Sequence, residues 1–402
     1  MINEVDFKAE AEALAAQLTA WRRDLHEHPE LGFEVQRTAS IVAAALTELG
    51  CEVRTGVGQS GVVGLLSGDK PGPTVMLRAD MDALPIQEIS DAPYCSQVPG
   101  AMHACGHDGH VAMGLGAATL LARHAADLPG QALFVFQPAE EGMGGARAMI
   151  EDDALADPAP AAAFGLHLWN TMPLGRVVAQ AGPIMAAADV LKITITGQGG
   201  HGALPHEAVD AIAVAGQVLS ALQTIVSRNV DPQETAVLTI GTIHAGTAFN
   251  VIAETVEMQG TIRTFSPAVR ETVLTRLRVL LDGVTAGMGA RYKLEIQDVT
   301  SAVINDAAMA EIARGAAVQV AGATNVIWQP PFMVSEDFSE FANRVPACFM
   351  LLGSGNPALG LNAPHHNPRF DFDEDALPMG AALLAAAAAK FLAKRQSKAG
   401  EE

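Results

Sequence analysis

The stretch Gln131-Ala-Leu-Phe-Val-Phe-Gln-Pro-Ala-Glu-Glu-Gly142 decides how this chain reads. Its first six residues are almost wholly apolar and lack the alternation of a half-exposed strand, so they predict a strand buried on both faces of a sheet. The next six change character. Pro138 and Gly142 bracket the acidic pair Glu140-Glu141 in a tight loop at the strand's carboxyl end. In sheets whose strands run parallel between helices, ligands collect beyond those ends.

Moving outward, the same grammar recurs. Gly61–Leu66 and Thr74–Arg78 read as strands, and Asp80 and Asp82 follow directly after the second. Ala161–Leu166 reads as a strand with His167 at its tip, and Pro346–Leu352 as another, followed by Pro364-His-His-Asn-Pro368. Between them, Val111–His124 and Gly145–Asp152 carry helical patterns, and Asp6–Leu49 reads as a helical pair broken at His28–Gly32. Strands alternating with helices predict an α/β fold with a mixed, mostly parallel sheet flanked by helices.

The pattern breaks between Ile184 and Gln297. Asp189–Thr196, Thr235–His244, Thr255–Thr264 and Tyr292–Ile296 alternate as strands, while Ala208–Val226 and Val269–Met288 read as helices. Strand, helix, two strands, helix, strand is the order of a ferredoxin-like α+β unit. The expected division is a discontinuous metal-binding domain, residues 1–184 and 298–402, with residues 185–297 inserted. Lys394–Glu402 reads as a charged, frayed tail.

Composition narrows the function classes. Hydrophobic residues are 49% of the 402 and aromatics only 5%, so cores must come from Ala, Val, Leu and Ile. The formal charge of −20 repels phosphate backbones and anionic membranes, which sets nucleic acid and membrane aside as partners. The acidic stretch Met1–Glu10 has no apolar core, and the Ala-rich run Ala376–Ala389 reads as too short to cross a bilayer and as interrupted by Pro378 and Gly380. A cytoplasmic protein is expected. Of the four cysteines, Cys51, Cys95 and Cys348 read as ordinary packing or loop residues, and no disulfide framework is expected.

Cys105 differs, because His103-Ala-Cys-Gly-His-Asp-Gly-His110 gathers a thiol and imidazoles in one glycine-flexed loop. Together with strand-end residues the candidate metal ligands are Cys105, His107, Glu141, His167 and one of His365 or His366. Three protein ligands suffice for one catalytic zinc, so five suggest two metals, able to polarise a carbonyl and activate a water. With Glu141 ligating, its neighbour Glu140 is placed to act as general base. Asp80 and Asp82 are expected to orient the imidazoles or loop backbone from behind. His103, Asp108 and His110 are left between support and helix-start capping, and His26 and His28 are read as surface or interface residues, outside the site with His124 and His244. In the inserted unit, His201 among glycines is a candidate for stabilising an oxyanion, and Asn250 and Arg263 for recognising a substrate carboxylate. Glu336 has no assigned role.

At this point the sequence resembles the M20 metallopeptidase family, in its amidohydrolase branch of hippurate hydrolase-like, auxin-conjugate hydrolase-like and N-acyl-amino-acid hydrolase-like enzymes. The motifs are Arg22-Arg-Asp-Leu-His-Glu-His-Pro-Glu-Leu-Gly-Phe-Glu34, Leu77-Arg-Ala-Asp-Met-Asp-Ala-Leu-Pro85, His103–His110, Pro138-Ala-Glu-Glu-Gly142, Gly199-Gly-His-Gly-Ala203 and His365-His-Asn-Pro-Arg-Phe-Asp-Phe-Asp373. The resemblance implies two divalent ions per subunit, manganese or zinc with nickel or cobalt as further options, held by Cys105, His107, Glu141, His167 and His366. It prefers His366 to His365 because the family's ligand stands two residues before the proline. It also implies that the inserted unit is a lid and dimerisation element, so that a homodimer or higher homo-oligomer is expected and His201 could serve a partner's site. The expected activity is hydrolysis of N-acyl amino acids. The alternatives are a dipeptidase or carboxypeptidase on the same scaffold and, further off, a metal-dependent binding protein.

Overall fold

The strand read from Gln131 to Phe136 runs from Pro129 to Gln137, and all of it is buried except Gln131. It lies inside a seven-stranded sheet ordered Glu52–Val57, Gly61–Ser67, Pro129–Gln137, Lys70–Asp80, Ala162–Pro173, Ala347–Gly355 and Val177–Val178. The four strands from Pro129–Gln137 to Ala347–Gly355 run parallel. Those on the two edges run antiparallel. The fold is therefore the mixed, mainly parallel α/β arrangement that the apolar runs predict.

The computed structural model describes residues 2–399. They divide into two compact units, the first being the chain up to Ile184, Ile304–Pro330 and everything from Asp337 on, the second Met185–Val303 with Pro331–Glu336. Each has its own core. In the first, Phe134, Phe136 and Phe164 from the sheet meet the helices His107–Arg123 and Ala376–Ala399. Truncating one such phenylalanine to alanine would cost about 3–5 kcal/mol. In the second, Leu191, Ile193 and Ile195 on one face of Ala187–Thr196 meet Val214, Val218 and Leu222 of helix Ala211–Asn229 and Leu274, Leu277 and Leu281 of helix Pro267–Gly287. Its sheet is ordered Ala236–Ala245, Thr255–Thr264, Ala187–Thr196, Arg291–Thr300, antiparallel throughout.

Several local expectations are corrected. The N-terminal region holds three helices, Phe7–Glu12, Ala15–Glu27 and Gln36–Glu48. The strand expected to end near Leu166 continues to Pro173, so His167 stands inside it and not at its tip. Pro378 does not interrupt the Ala-rich run, because it sits in the first turn of Ala376–Ala399, where a missing N–H is tolerated. That helix absorbs the expected tail up to Ala399, and residues 400–402 lie outside the described residues. By length and apolarity Ala211–Asn229 and Ala376–Lys394 would both pass as membrane spans, but 78% of the second stretch is buried inside the protein. The strand Glu52–Val57 and the helix Ala307–Ala321 were not anticipated.

Candidate metal centre and its supports

The carboxyl ends of the parallel strands place the candidate donors. Asp80 closes Lys70–Asp80, Glu140 and Glu141 follow Pro129–Gln137, and His167 projects from Ala162–Pro173. Opposite them, Gly106 adopts φ +86°, a left-handed turn that suits glycine, and His107 opens the long helix His107–Arg123 directly after it. The turn brings Cys105 and His107 in from the loop side.

The atoms converge in overlapping groups. The ligand atoms of Cys105, His107 and His167 lie within 4.8 Å of one another, as do those of Cys105, Glu141 and His366, and those of His107, Glu140 and Glu141. The Cys105 thiol is common to the first two. His366 is held at φ +63° and Ala139, just before the acidic pair, at φ +56°, two of the four non-glycine residues with positive φ among the described residues. Such positions persist only where the surroundings over-determine them. His365 turns away, its Nε2 donating to the carbonyl of Leu168 at 3.0 Å.

The imidazoles are oriented from behind. Nδ1 of His107 donates to the carbonyl of Asp82 at 2.8 Å, and its buried Nε2 has no hydrogen-bond partner among the described residues. Nδ1 of His167 donates to the carbonyl of Leu168 at 2.6 Å, which leaves Nε2 3.5 Å from Cys105 Sγ. His110 has no nitrogen to spare. Its Nδ1 donates to Asp80 at 2.5 Å and its Nε2 accepts from the Leu168 amide at 2.9 Å. Although Asp80, His107 and His110 also cluster, His110 is thereby a support and not a donor. Asp82 accepts from the backbone N–H of Glu140 at 3.0 Å and of Glu141 at 3.2 Å, so this one carboxylate shapes the acidic turn.

The electrostatics call for positive charge. Burial would lower the His107 imidazole, but Asp80, Asp82 and Glu141 together push it up to about 10. Burial, reinforced by Glu141, Glu140 and Asp80, holds the Cys105 thiol well above its ordinary value. Burial also keeps His167 neutral, well below the ordinary imidazole range, with His110 and His365 adding to the effect. Glu141 stays below the ordinary range despite its burial because His366 and His107 face it. A buried thiol and imidazoles are soft-to-borderline donors and the Glu141 carboxylate a harder one, a mixed set that fits a divalent metal.

Behind the donors lies a buried charged cluster that sequence reading did not pick out. Arg22 is fully buried with Asp108, and His26, expected at the surface, is 1% exposed with its Nδ1 donating to Asp108 at 2.7 Å. Their signal was visible in hindsight. Arg22 and His26 share the inward face of an amphipathic helix, and Asp108 directly follows a candidate ligand. Arg78, also buried, donates to Asp80 at 2.6 Å, to Gln137 at 2.9 Å and to Asp337 at 3.1 Å. Both ring nitrogens of His103 are buried without a hydrogen-bond partner among the described residues, and burial pushes it down to about 3.

The remaining candidates belong to the second unit. Val251 pairs with His201 in a short two-stranded ribbon, and the Gly202 amide donates to the carbonyl of Asn250 at 2.8 Å, so His201 and Asn250 are neighbours and both are exposed. The Ala203 amide donates to His201 Nδ1 at 3.0 Å, which leaves the ring proton on Nε2. Arg263 stands elsewhere, on the central strand Thr255–Thr264 opposite Ala188 and Val237.

Comparison with known proteins bears on this arrangement. The family model described as Peptidase family M20/M25/M40 matches residues 76–390. Thermostable carboxypeptidase 2 of Saccharolobus solfataricus is 40% identical over 374 residues, 92% of this chain and 94% of that protein. N-acetylcysteine deacetylase of Bacillus subtilis is 39% identical over 375 residues, 93% of this chain and 96% of that protein. A crystal structure of the Bacillus subtilis YXEP protein, described as a dinuclear metal binding peptidase from M20 family, superposes with a TM-score of 0.84 at 35% identity, covering 95% of this chain and 99% of that one.

Proposed function

The chain belongs to the M20/M25/M40 peptidase family, and from that premise we propose that it hydrolyses the amide bond of N-acyl amino acids, giving a carboxylate and a free amino acid, at a centre of two divalent ions. The observation that carries the reading is the pair of three-residue donor groups that share Cys105, one completed by His107 and His167, the other by Glu141 and His366. Ions held there would supply Lewis acidity, polarising the substrate carbonyl and acidifying a water.

The chain's own residues do the rest. Glu140, next to the ligand Glu141 and grouped with His107, takes a proton from the attacking water and delivers it to the leaving nitrogen. Asp82 fixes both glutamates through their amides, so base and ligand move together. The second unit is proposed to supply His201 for the oxygen that gains charge and, for the substrate carboxylate, either Asn250 beside it or Arg263 on its separate strand. N-acetylcysteine deacetylase is named for an N-acyl amino acid, which favours that class for this chain. Hippurate-like acyl groups are the proposed starting point. The carboxypeptidase relative supports a second reading, cleavage of a peptide bond beside a free carboxylate, at the same site.

We further propose that the second unit mediates self-association. Its edge strand Ala236–Ala245 is exposed along most of its length, with Ile243 at 49%, and an uncovered edge is a template for pairing with another copy. Light scattering of the purified chain decides this.

Metal analysis combined with a panel of hippurate-type substrates and dipeptides separates the two activity readings. Glu140→Gln should retain both ions while kcat falls by about 10²–10⁴-fold. Near-normal turnover in that variant would sink the mechanism.

A further inference from the structure

Four of the five proposed donors stand on firm framework. Cys105 and His107 lie at the head of helix His107–Arg123, His167 lies inside a central strand, and Glu141 sits on the turn gripped by Asp82. His366 differs. Residues 362–372 contain no helix or strand, and the His366 side chain is 52% exposed. A ligand on irregular chain must be held by its neighbours.

The His366 amide donates to the carbonyl of Ala104, beside Cys105, at 2.8 Å, and the buried guanidinium of Arg22 fixes the far end of the segment that this single bond leaves to pivot. Its Nε donates to Asp108 Oδ2 at 2.9 Å, its Nη2 to Asp371 Oδ1 at 2.7 Å and its Nη1 to Glu374 Oε1 at 3.2 Å. It lies 4.5 Å from the Phe372 ring centroid and 4.7 Å from that of Tyr94, whose hydroxyl donates to the other oxygen of Asp371 at 2.8 Å. Asp108 is in the first turn of the helix that His107 opens, and Asp371 lies in the irregular segment that carries His366. From the far side, Asn170 donates to the carbonyls of Ala363 and Asp371 at 2.7 and 2.9 Å. One buried fork therefore joins the element that presents Cys105 and His107 to the segment that presents His366.

The fork is needed for its shape. Three carboxylates in three directions match a planar guanidinium and not the point charge of an ammonium. Its charge, by contrast, would repel a bound cation if it acted at all, so a field effect and a positioning effect on metal affinity have opposite signs.

We propose that Arg22 is a positioning residue for the metal centre. It sets the His366 segment against the Cys105–His107 loop, so that the ion grouped with Cys105, Glu141 and His366 is retained. The inference rests on the two-metal reading above.

The test strips the full chain with a chelator and titrates manganese or zinc against a competing chromophoric chelator, for the wild type, Arg22→Lys, Asp371→Asn, His366→Ala and the Arg22→Lys/His366→Ala double variant. Circular dichroism of the stripped proteins monitors folding. Arg22→Lys and Asp371→Asn should keep one ion at wild-type affinity and bind the other about 10–100-fold more weakly. The double variant should lose no more than His366→Ala alone. Wild-type affinity for both ions, equal weakening of both, or tighter binding would each overturn the proposal. Should Arg22→Lys not fold, Asp371→Asn decides alone. If the wild type itself fails to take up two ions, the two-metal reading falls on that measurement, separately from any variant.

Discussion

Replacing Gly145 by alanine tests how tightly the acidic turn is seated. Gly145 begins the helix Gly145–Glu151, and its amide donates to the carbonyl of Ala139 at 3.0 Å. A Cβ there would meet the Pro138 carbonyl oxygen at 1.7 Å, where real Cβ atoms essentially never come closer than 3.0 Å, so helix and turn must part by at least 1.3 Å, the difference between the two. Neither side yields readily. The helix is pinned by Asp337, which accepts from the Ala146 amide at 3.0 Å, and the turn is pinned by Asp82 through Glu140 and Glu141. A displacement of about 1 Å at reacting groups costs on the order of 10²-fold in rate, and overpacking costs about 1–3 kcal/mol in stability. The assay is kcat/KM on a hippurate-type substrate, with metal content and urea midpoint measured on the same samples. Gly283→Ala is the control. It lies inside the helix Pro267–Gly287 with nothing within 4 Å of the new Cβ, and it should keep full activity while gaining about 0.5–1 kcal/mol. A folded Gly145→Ala enzyme with kcat/KM within about threefold of wild type would refute the claim that this turn sets Glu140.

Other outcomes follow from the same geometry. Adding back metal to the stripped chain should stabilise the first unit, which holds all five donors, by about 2.7 kcal/mol per site at one hundred times Kd, and identical unfolding midpoints with and without metal would contradict the donor assignment. Asp108 is held far below the ordinary carboxyl range, because Arg22 and His26 outweigh its burial. A depressed carboxyl contributes stability that is complete above the unfolded value of about 3.9 and is lost as pH falls below it, so the stability gap between wild type and Asp108→Asn should shrink on acidification, and a gap that stays constant would count against the pairing. In the native chain at pH about 8, Cys95, which is half-buried, should react first with a thiol reagent. Burial pushes Cys51 up to about 11 and Cys348 higher still, so mass spectrometry should find both unlabelled until the chain unfolds.

Residue pattern carried the fold a long way. Thr255–Thr264 matches its strand to the residue, and the apolar run after Pro129 declared a doubly buried strand, because burial on both faces leaves no alternation to misread. The failures have physical causes. Glu52–Val57 is an edge strand with mostly exposed side chains, and such strands carry little apolar signal. Pro378 reads as a breaker only when its place in the first helical turn is unknown. At the site, strand-end position pointed to Glu140 and Glu141, while residue type alone singled out Cys105, His107 and His167, the last of which stands inside its strand. What pattern could not supply was partnership over long separations. His26 looks like a surface residue until Asp108 is placed against it, and nothing local links Arg22 to Asp371.

The division of the chain into units has a consequence for the order in which it is made. The core of the second unit draws on residues from Leu191 to Ala290, one continuous stretch of chain. The first unit cannot finish its sheet until Ala347–Gly355, which lies between Ala162–Pro173 and Val177–Val178, has been added, nor cover it until Ala376–Ala399 has been made. During synthesis from the N-terminus, the inserted unit can therefore close its core while the flanking unit still waits on the ribosome for the strand Ala347–Gly355 and the helix Ala376–Ala399. In this molecule the segment that interrupts the metal-binding domain is in a position to mature first.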